Sequence, residues 1–283
     1  MTKSKETSSK ITIKKLTALY HNDQKISAVT AYDYTMAKLV DAAGVDIILV
    51  GDSLGMVVQG EKNTLPVDIE HMIYHTKCVA KGVTNAHIMA DMNFMSYQSS
   101  HEDAVLNAGK LLKAGAESVK LEGGEEIADL VWYLNKVGIP VMGHIGLKPQ
   151  SIHTMGGYKV QGKSKLEADG IFNDAQALEE AGAFALLLEG IPTEVAQEIT
   201  NSVNIPTIGI GSGPFCNGQV LVINDILGAN PDFKPKFVRQ YANMSKFVQT
   251  AVKAYVSDVR KGSFPSEEES VHRNLVEVKT AGQ

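Results

Sequence analysis

Apolar residues in this chain recur as short unbroken runs rather than as alternations. ISAVTAY (26–32), DIILVG (46–51), HIMADM (87–92), SVKLEG (118–123), PVMGHIG (140–146), AFALLLEG (183–190), PTIGIGSG (206–213) and the less regular VLVINDILG (220–228) are rich in Val, Ile and Leu. Runs of this kind fit strands covered on both faces, as in parallel sheets. Between most of them lie amphipathic segments, among them DYTMAKLVDAAG, SHEDAVLNAGKLLKAGA and EEIADLVWYLNKVG. Several close on glycine, the usual residue just past a helix C-terminus.

Strand then helix, repeated about eight times, predicts parallel strands joined by crossover helices. Over roughly 250 residues that is the size of a single α/β domain of the (β/α)₈ barrel type. A doubly wound open sheet is the alternative. It would carry a Gly-rich first turn such as G-x-G-x-x-G, and the first run here is followed by Tyr32-Asp33-Tyr34. The barrel is expected to span 11–264, with residues 1–10 and 265–283 as polar terminal extensions.

Charge and composition narrow the function. The 283 residues include 27 basic and 32 acidic ones, a net charge of −5, with no basic stripe of the kind a nucleic-acid binder needs. No apolar run approaches the roughly 20 residues of a membrane helix. MTKSKETSSKITIKK lacks the apolar centre of a secretory signal, and with Glu6 and no Arg it is a poor transit peptide. The two cysteines, Cys78 and Cys216, have neither metal-type spacing nor a disulfide framework. A reducing, cytoplasmic setting is expected.

Candidate chemistry lies at the strand ends. Asp52 follows DIILVG, Asp91 closes HIMAD, Glu122 closes SVKLE and Glu189 closes FALLLE. Acidic residues are 32 of 283, so four such placements exceed chance. Each could merely cap the helix that follows, and Asp52-Ser53 suits that role best. In a barrel, however, the C-terminal strand ends converge on one mouth. Lys120 and Glu122 are two apart on one strand and therefore share a face.

Three carboxylates held close repel one another unless a cation sits among them. Oxygen ligands without His or Cys favour Mg²⁺, which keeps positions open for water or substrate. Mg²⁺ polarising a carbonyl acidifies the adjacent C–H, and a carboxylate apart from the metal could remove that proton. Enolate chemistry follows as the expectation from residues alone.

Two further patterns have blander explanations. His71, His75 and Cys78 share a helical face but lack the H-E-x-x-H glutamate, so packing is the expected use. GIGSG (209–213) could cradle a phosphate, giving a rival reading as a phosphate-binding barrel aldolase or isomerase; that site would leave the clustered acids unexplained. A non-enzymatic barrel is the remaining rival, and the intact strand-end charges speak against it.

VGDSLGMVVQG (50–60), TLPVDIEHMIYHT (64–76), ADMNFMSY (90–97), VKLEGG (119–124), GHIGLKPQS (143–151), GGYKVQG (156–162) and IGIGSG (208–213) closely resemble the ketopantoate hydroxymethyltransferase family. The resemblance runs in order over roughly residues 12–272. It implies a Mg²⁺-dependent (β/α)₈ barrel of the wider phosphoenolpyruvate mutase and isocitrate lyase superfamily. It further implies transfer of a hydroxymethyl unit from 5,10-methylenetetrahydrofolate to 3-methyl-2-oxobutanoate, giving 2-dehydropantoate for pantothenate and coenzyme A synthesis. By the same resemblance, Asp52, Asp91 and Glu122 would hold Mg²⁺ directly or through water. Asp52, Ser53, Asp91 and Lys120 would contact the oxo acid, Glu189 would be the proton acceptor, and His144 and Tyr32 would line the pocket. A homo-oligomer is implied too, a decamer built as a pentamer of dimers.

Three positions depart from the family pattern. Asn93 stands where Pro is usual, Ser212 where Ala is common, and Asn217 where Asp is usual. The last is expected near the folate side, with folate affinity the property it touches. A C–C lyase of the same superfamily is a further rival; those enzymes use a loop cysteine, and Cys216 lies outside the corresponding context.

Overall fold

The computed structural model describes residues 9–231 and 235–273. The proposed extensions therefore fall largely outside the described residues, at 1–8 and 274–283. Eight parallel strands close into a barrel in chain order: β1 (Ile26–Thr30), β2 (Ile47–Val50), β3 (His87–Asp91), β4 (Ser118–Glu122), β5 (Val141–Gly146), β6 (Ala185–Glu189), β7 (Thr207–Ile210) and β8 (Gly218–Leu221). The α-helices are α1 (Ile13–His21), α2 (Tyr34–Ala42), α3 (Leu54–Val57), α4 (Ile69–Gly82), α5 (His101–Ala114), α6 (Ala128–Lys136), α7 (Ile152–Met155), α8 (Lys165–Glu180), α9 (Thr193–Ser202), α10 (Ile223–Ile226) and α11 (Met244–Lys261). Among the described residues no helix is long and apolar enough to cross a membrane.

Local chemistry sets the helix ends. Asp33 accepts from Met36 N–H to start α2, and Ser100 accepts from Asp103 N–H to start α5. Ser164 and Glu167 form a capping box on α8, satisfying donors the first turn leaves unpaired. Gly115 ends α5 at φ 114°, a left-handed conformation that glycine adopts without a Cβ clash.

Alternation divides each strand between two cores. Outward residues such as Ile48, Ile88, Val119, Val141 and Leu186 pack against the helices in one large cluster. Inward residues Ala28, Leu49, Met89, Met142, Leu187, Ile208 and Val220 form a second cluster inside the barrel, closed below by Leu16 of α1. The barrel centre is thus an apolar plug, with the strand-end acids at the mouth above it and a buried His87–Ser118 hydrogen bond below it.

The eighth strand differs from its predicted place. VLVINDILG at 220–228 contributes only its first two residues to β8, which begins at Gly218; Ile223–Ile226 is the short helix α10. No helix lies between β7 and β8 either. Residues 211–217 make the crossover alone, and seven extended residues span about 24 Å, enough to return past a four-residue strand.

Candidate active site

Strand parity delivers most of the site. Asp91 is two residues beyond inward Met89, His144 two beyond Met142, and Glu189 two beyond Leu187, so all three point into the barrel. Register then sets neighbours: Asp91 lies beside Lys120, Glu122 beside His144, and Glu189 beside Gly146. Asp91, Lys120, Glu122 and His144 are all buried.

Asp52 arrives by another route. It shares parity with outward Val50, and the turn after β2 redirects it, with Asp52 N–H donating to Asp91 Oδ2 at 3.0 Å. Gly51 allows that approach: a Cβ there would stand 2.8 Å from Ser53 Oγ and 3.3 Å from Asp91 Oδ2. Ser53 does not cap α3 by its side chain. Its hydroxyl pairs instead with Tyr32 Oη at 2.8 Å, and this brings Tyr32 to the mouth.

Each of the three strand-end acids has one oxygen held by protein N–H groups. Asp52 Oδ2 accepts from Gln150 Nε2 at 2.8 Å, Asp91 Oδ2 from Asp52 N–H, and Glu122 Oε2 from Gln150 N–H at 2.9 Å. Asp91 Oδ1 and Glu122 Oε1 are buried and accept no hydrogen bond. Lys120 Nζ stands 3.2 Å from Asp91 Oδ1 as an ion pair. It also lies 2.9 Å from His144 Nδ1. An ammonium only donates, so Nδ1 accepts and the ring proton sits on Nε2. That nitrogen lies 3.2 Å from Glu189 Oε2, close but not aligned as a hydrogen bond.

Burial dominates the electrostatics. It pushes the Asp52 carboxyl up to about 7, with Asp91's charge adding and Lys120 and Gln150 opposing. Burial also raises Asp91 and lifts Glu122 well above the usual carboxylate range. Glu189 is pushed up to about 8 by burial, against Lys120. For Lys120 burial opposes the charge, but Asp91, Glu122, Asp52 and Glu189 outweigh it and hold the ammonium charged. His144 is kept neutral by burial and by Lys120. Four acids beside one fixed cation cannot all ionise without excess negative charge; protons hold it down in the free site, and a divalent cation could take their place.

These donors fit Mg²⁺ in kind, since all are oxygens and two are unsatisfied. Among the described residues no three His, Cys, Asp or Glu side chains converge closely enough to hold a metal ion by themselves. Mg²⁺ is characteristically held by one or two carboxylates plus water and substrate, so an open arrangement suits it.

The blander patterns resolve differently. His71 Nδ1 accepts from Asp68 N–H at the start of α4, and His75 Nδ1 contacts Tyr32 O at 2.6 Å, so both of these ring nitrogens are taken by protein groups. Ser212 spends its hydroxyl on Leu188 O and Ile210 O, which leaves GIGSG without that group for a phosphate. Cys216 is buried in the outer core and not at the mouth. Asn93 donates to Val67 O and Phe94 O and so fastens the loop after β3 without touching Asp91. Asn217 corrects the expectation of a place near the mouth. The crossover returns to the barrel floor before β8 begins, and Asn217 Oδ1 accepts there from Thr207 N–H and Oγ1 at the start of β7.

Sequence reasoning missed Gln150, Tyr97 and Tyr158. Tyr97 Oη shares its one hydrogen between Glu122 O at 2.8 Å and Gln150 Oε1 at 3.0 Å. Tyr158 is half-exposed, and burial first, then the charges of Asp52, Glu189 and Glu122, raises its hydroxyl. ADMNFMSY, GHIGLKPQS and GGYKVQG were the only pointers to these residues.

The sequence profile of the ketopantoate hydroxymethyltransferase family matches residues 10–267. The chain belongs to that family. The 3-methyl-2-oxobutanoate hydroxymethyltransferase of Pelodictyon phaeoclathratiforme is 53% identical over 268 residues, covering 93% of this chain and 97% of its own. That of Thermoanaerobacter pseudethanolicus is 55% identical over 248 residues, covering 87% and 90%. As a ketopantoate hydroxymethyltransferase family member the chain is a transferase enzyme. Solved folds agree at much lower identity. Phosphonopyruvate hydrolase complexed with oxalate and Mg²⁺ superposes with a TM-score of 0.60 at 14% identity, covering 91% of this chain and 92% of its own. 2,3-Dimethylmalate lyase, a phosphoenolpyruvate mutase/isocitrate lyase superfamily member, gives 0.60 at 16%, covering 92% and 91%.

Proposed function

We propose that this enzyme transfers a hydroxymethyl group from 5,10-methylenetetrahydrofolate to 3-methyl-2-oxobutanoate, forming 2-dehydropantoate on the route to pantothenate, in the cytoplasm. One observation carries the reading: buried, unsatisfied oxygens of Asp91 and Glu122 adjoin a charged lysine and a separate, raised carboxyl, Glu189. That set provides a cation site, an anion site and a base in one mouth.

Asp52, Asp91 and Glu122 would hold Mg²⁺, directly or through water. Mg²⁺ bound there would polarise the keto group of the oxo acid and so acidify C3–H. Lys120, held charged, attracts the oxo acid's negative charge and the charge that develops on its oxygen. Ser53, tied to Tyr32, offers a hydroxyl beside Asp52 for the same substrate. Glu189 takes the C3 proton, and a carboxyl poised near 8 is well matched to that task. His144, neutral and carrying its proton on Nε2, stands between Lys120 and Glu189. The C3 carbon then bonds to the one-carbon unit, whose two C–N bonds to the folate break with uptake of one water; the water oxygen becomes the new hydroxyl and tetrahydrofolate leaves with the protons.

Self-association completes the reading, as the family resemblance implies. Its support is α11, where Phe247, Val252 and Tyr255 face solvent. The function is tested by deuterium exchange at C3 of 3-methyl-2-oxobutanoate, followed by nuclear magnetic resonance. Exchange should need the enzyme and Mg²⁺ but not folate, and adding 5,10-methylenetetrahydrofolate should yield 2-dehydropantoate. Mg²⁺-independent exchange, or none at all, would defeat it.

A further inference from the structure

Gln150 occupies an unusual place among the acids. It lies in the single 3₁₀ turn Pro149–Ser151 after β5, yet it is only 5% exposed. Its amide nitrogen donates to Asp52 Oδ2 and to Met92 O, both at 2.8 Å. Its amide oxygen accepts from Tyr97 Oη at 3.0 Å and Gln98 Nε2 at 3.3 Å. Its backbone N–H holds Glu122 Oε2. Both amide hydrogens and both oxygen lone pairs are thus used. The opposite amide orientation would set its oxygen against a carboxylate and a carbonyl, so the network fixes which end faces Asp52.

We infer that Gln150 is the positioning residue that sets the spacing of Asp52 and Glu122 for the cation, a role that rests on the Mg²⁺ reading above. One residue ties the ends of β2, β3 and β4, the three strands that carry the acids. A neutral amide suits the task. Lysine would pair with the carboxylates and compete with the cation, whereas glutamate would add a negative charge and remove both donors. Glutamine immobilises one oxygen of Asp52 and leaves the negative charge intact. Partners behind metal ligands are commonly worth 10–100-fold in affinity.

The test is calorimetric titration of the full chain with Mg²⁺ and, separately, with Ca²⁺. Mg²⁺ demands near-ideal octahedral geometry at about 2.0–2.1 Å, while Ca²⁺ accepts irregular geometry at 2.3–2.6 Å. Loss of spacing therefore penalises Mg²⁺ more than Ca²⁺, whereas general loosening of the fold weakens both alike. Gln150→Leu should bind Mg²⁺ about 10–100-fold more weakly and lose the parent's Mg²⁺-over-Ca²⁺ preference. Tyr97→Phe, which removes the hydroxyl on Gln150 Oε1, should give the same ordering at smaller size and serves if Gln150→Leu does not fold. A folded variant that binds Mg²⁺ like the parent, or one that weakens both ions equally, overturns the role of Gln150. A parent chain that binds no Mg²⁺ overturns the cation reading beneath it.

Discussion

Glu189 differs from the other acids at the mouth in freedom rather than in kind. Its side chain is 19% exposed, and its nearest cationic or potentially cationic partner, His144 Nε2, is close but unaligned. Asp52, Asp91 and Glu122 are each pinned by N–H donors. A base must move a proton, while a ligand must stay put, so the two classes should separate on mutation. Glu189→Gln keeps the shape and removes the basicity. Its C3 exchange should fall by roughly 10²–10⁴, with Mg²⁺ affinity within several-fold of the parent. Exchange at the parental rate would place the base elsewhere. Lys120 and Glu122 were legible because two-residue spacing on a strand guarantees a common face. Gln150 was not, since an uncharged amide between proline and serine carries no signal until its partners, up to 98 positions away, are brought to it.

At the scale of elements, the turn after β5 controls both halves of the site. Gly146 has φ 89°, and a Cβ there would meet Glu189 O at 2.4 Å. Backbone cannot move aside as a flexible side chain can. Gly146→Ala should therefore cost on the order of 1–3 kcal/mol in denaturant unfolding and lower C3 exchange by displacing Glu189. Unchanged stability would mean the turn can relax without it. The β7–β8 crossover makes the opposite prediction. Asn217 acts through an oxygen that accepts from Thr207 at the barrel floor, and a carboxylate can accept the same two bonds. Asn217→Asp should shift stability by no more than about 0.5 kcal/mol and leave the KM for 5,10-methylenetetrahydrofolate unchanged. A marked rise or fall in that KM would show that the floor communicates with the mouth.

Across the whole molecule, crowded acids make stability depend on pH and cation together. Asp52 near 7 and Glu189 near 8 stay protonated in the native chain well above the unfolded carboxyl range, near 4. Raised Asp91 and Glu122 act in the same direction. The native state then binds more protons than the unfolded one, so stability falls as pH rises. His87, lowered to about 4 by burial, and the lowered His144 have the opposite sign, but only below the unfolded histidine value near 6.5. Between pH 7 and 9 the acids act unopposed. Without Mg²⁺ the chain should lose roughly 2 kcal/mol over that window, seen as a Tm lower by a few degrees. Saturating Mg²⁺ should remove the part of the slope that comes from Asp52, Asp91 and Glu122 by replacing their protons, and leave the part that comes from Glu189. A Tm that rises from pH 7 to 9 without Mg²⁺ would contradict the raised carboxyls.

The sequence by itself determined the barrel, because buried parallel strands need continuous apolar runs and helix ends need particular caps. It also put Asp91, Glu122 and Glu189 at strand ends and Lys120 on the face of Glu122, since parity along a strand is a local property; which face turns inward was decided by closing the barrel. Tertiary structure decided what depends on distant parts meeting. Asp52 is out of parity with its strand and turns inward to meet Asp91, 39 positions on. Tyr32 and Tyr97 reach the mouth through hydroxyl bonds to Ser53 and to Gln150. β8 starts at Gly218, opposite Ile26 of β1, and the closing pair comes so near that a Cβ there would lie 2.4 Å from Ile26 O. Closing the barrel, rather than the apolar run itself, therefore fixes its last strand.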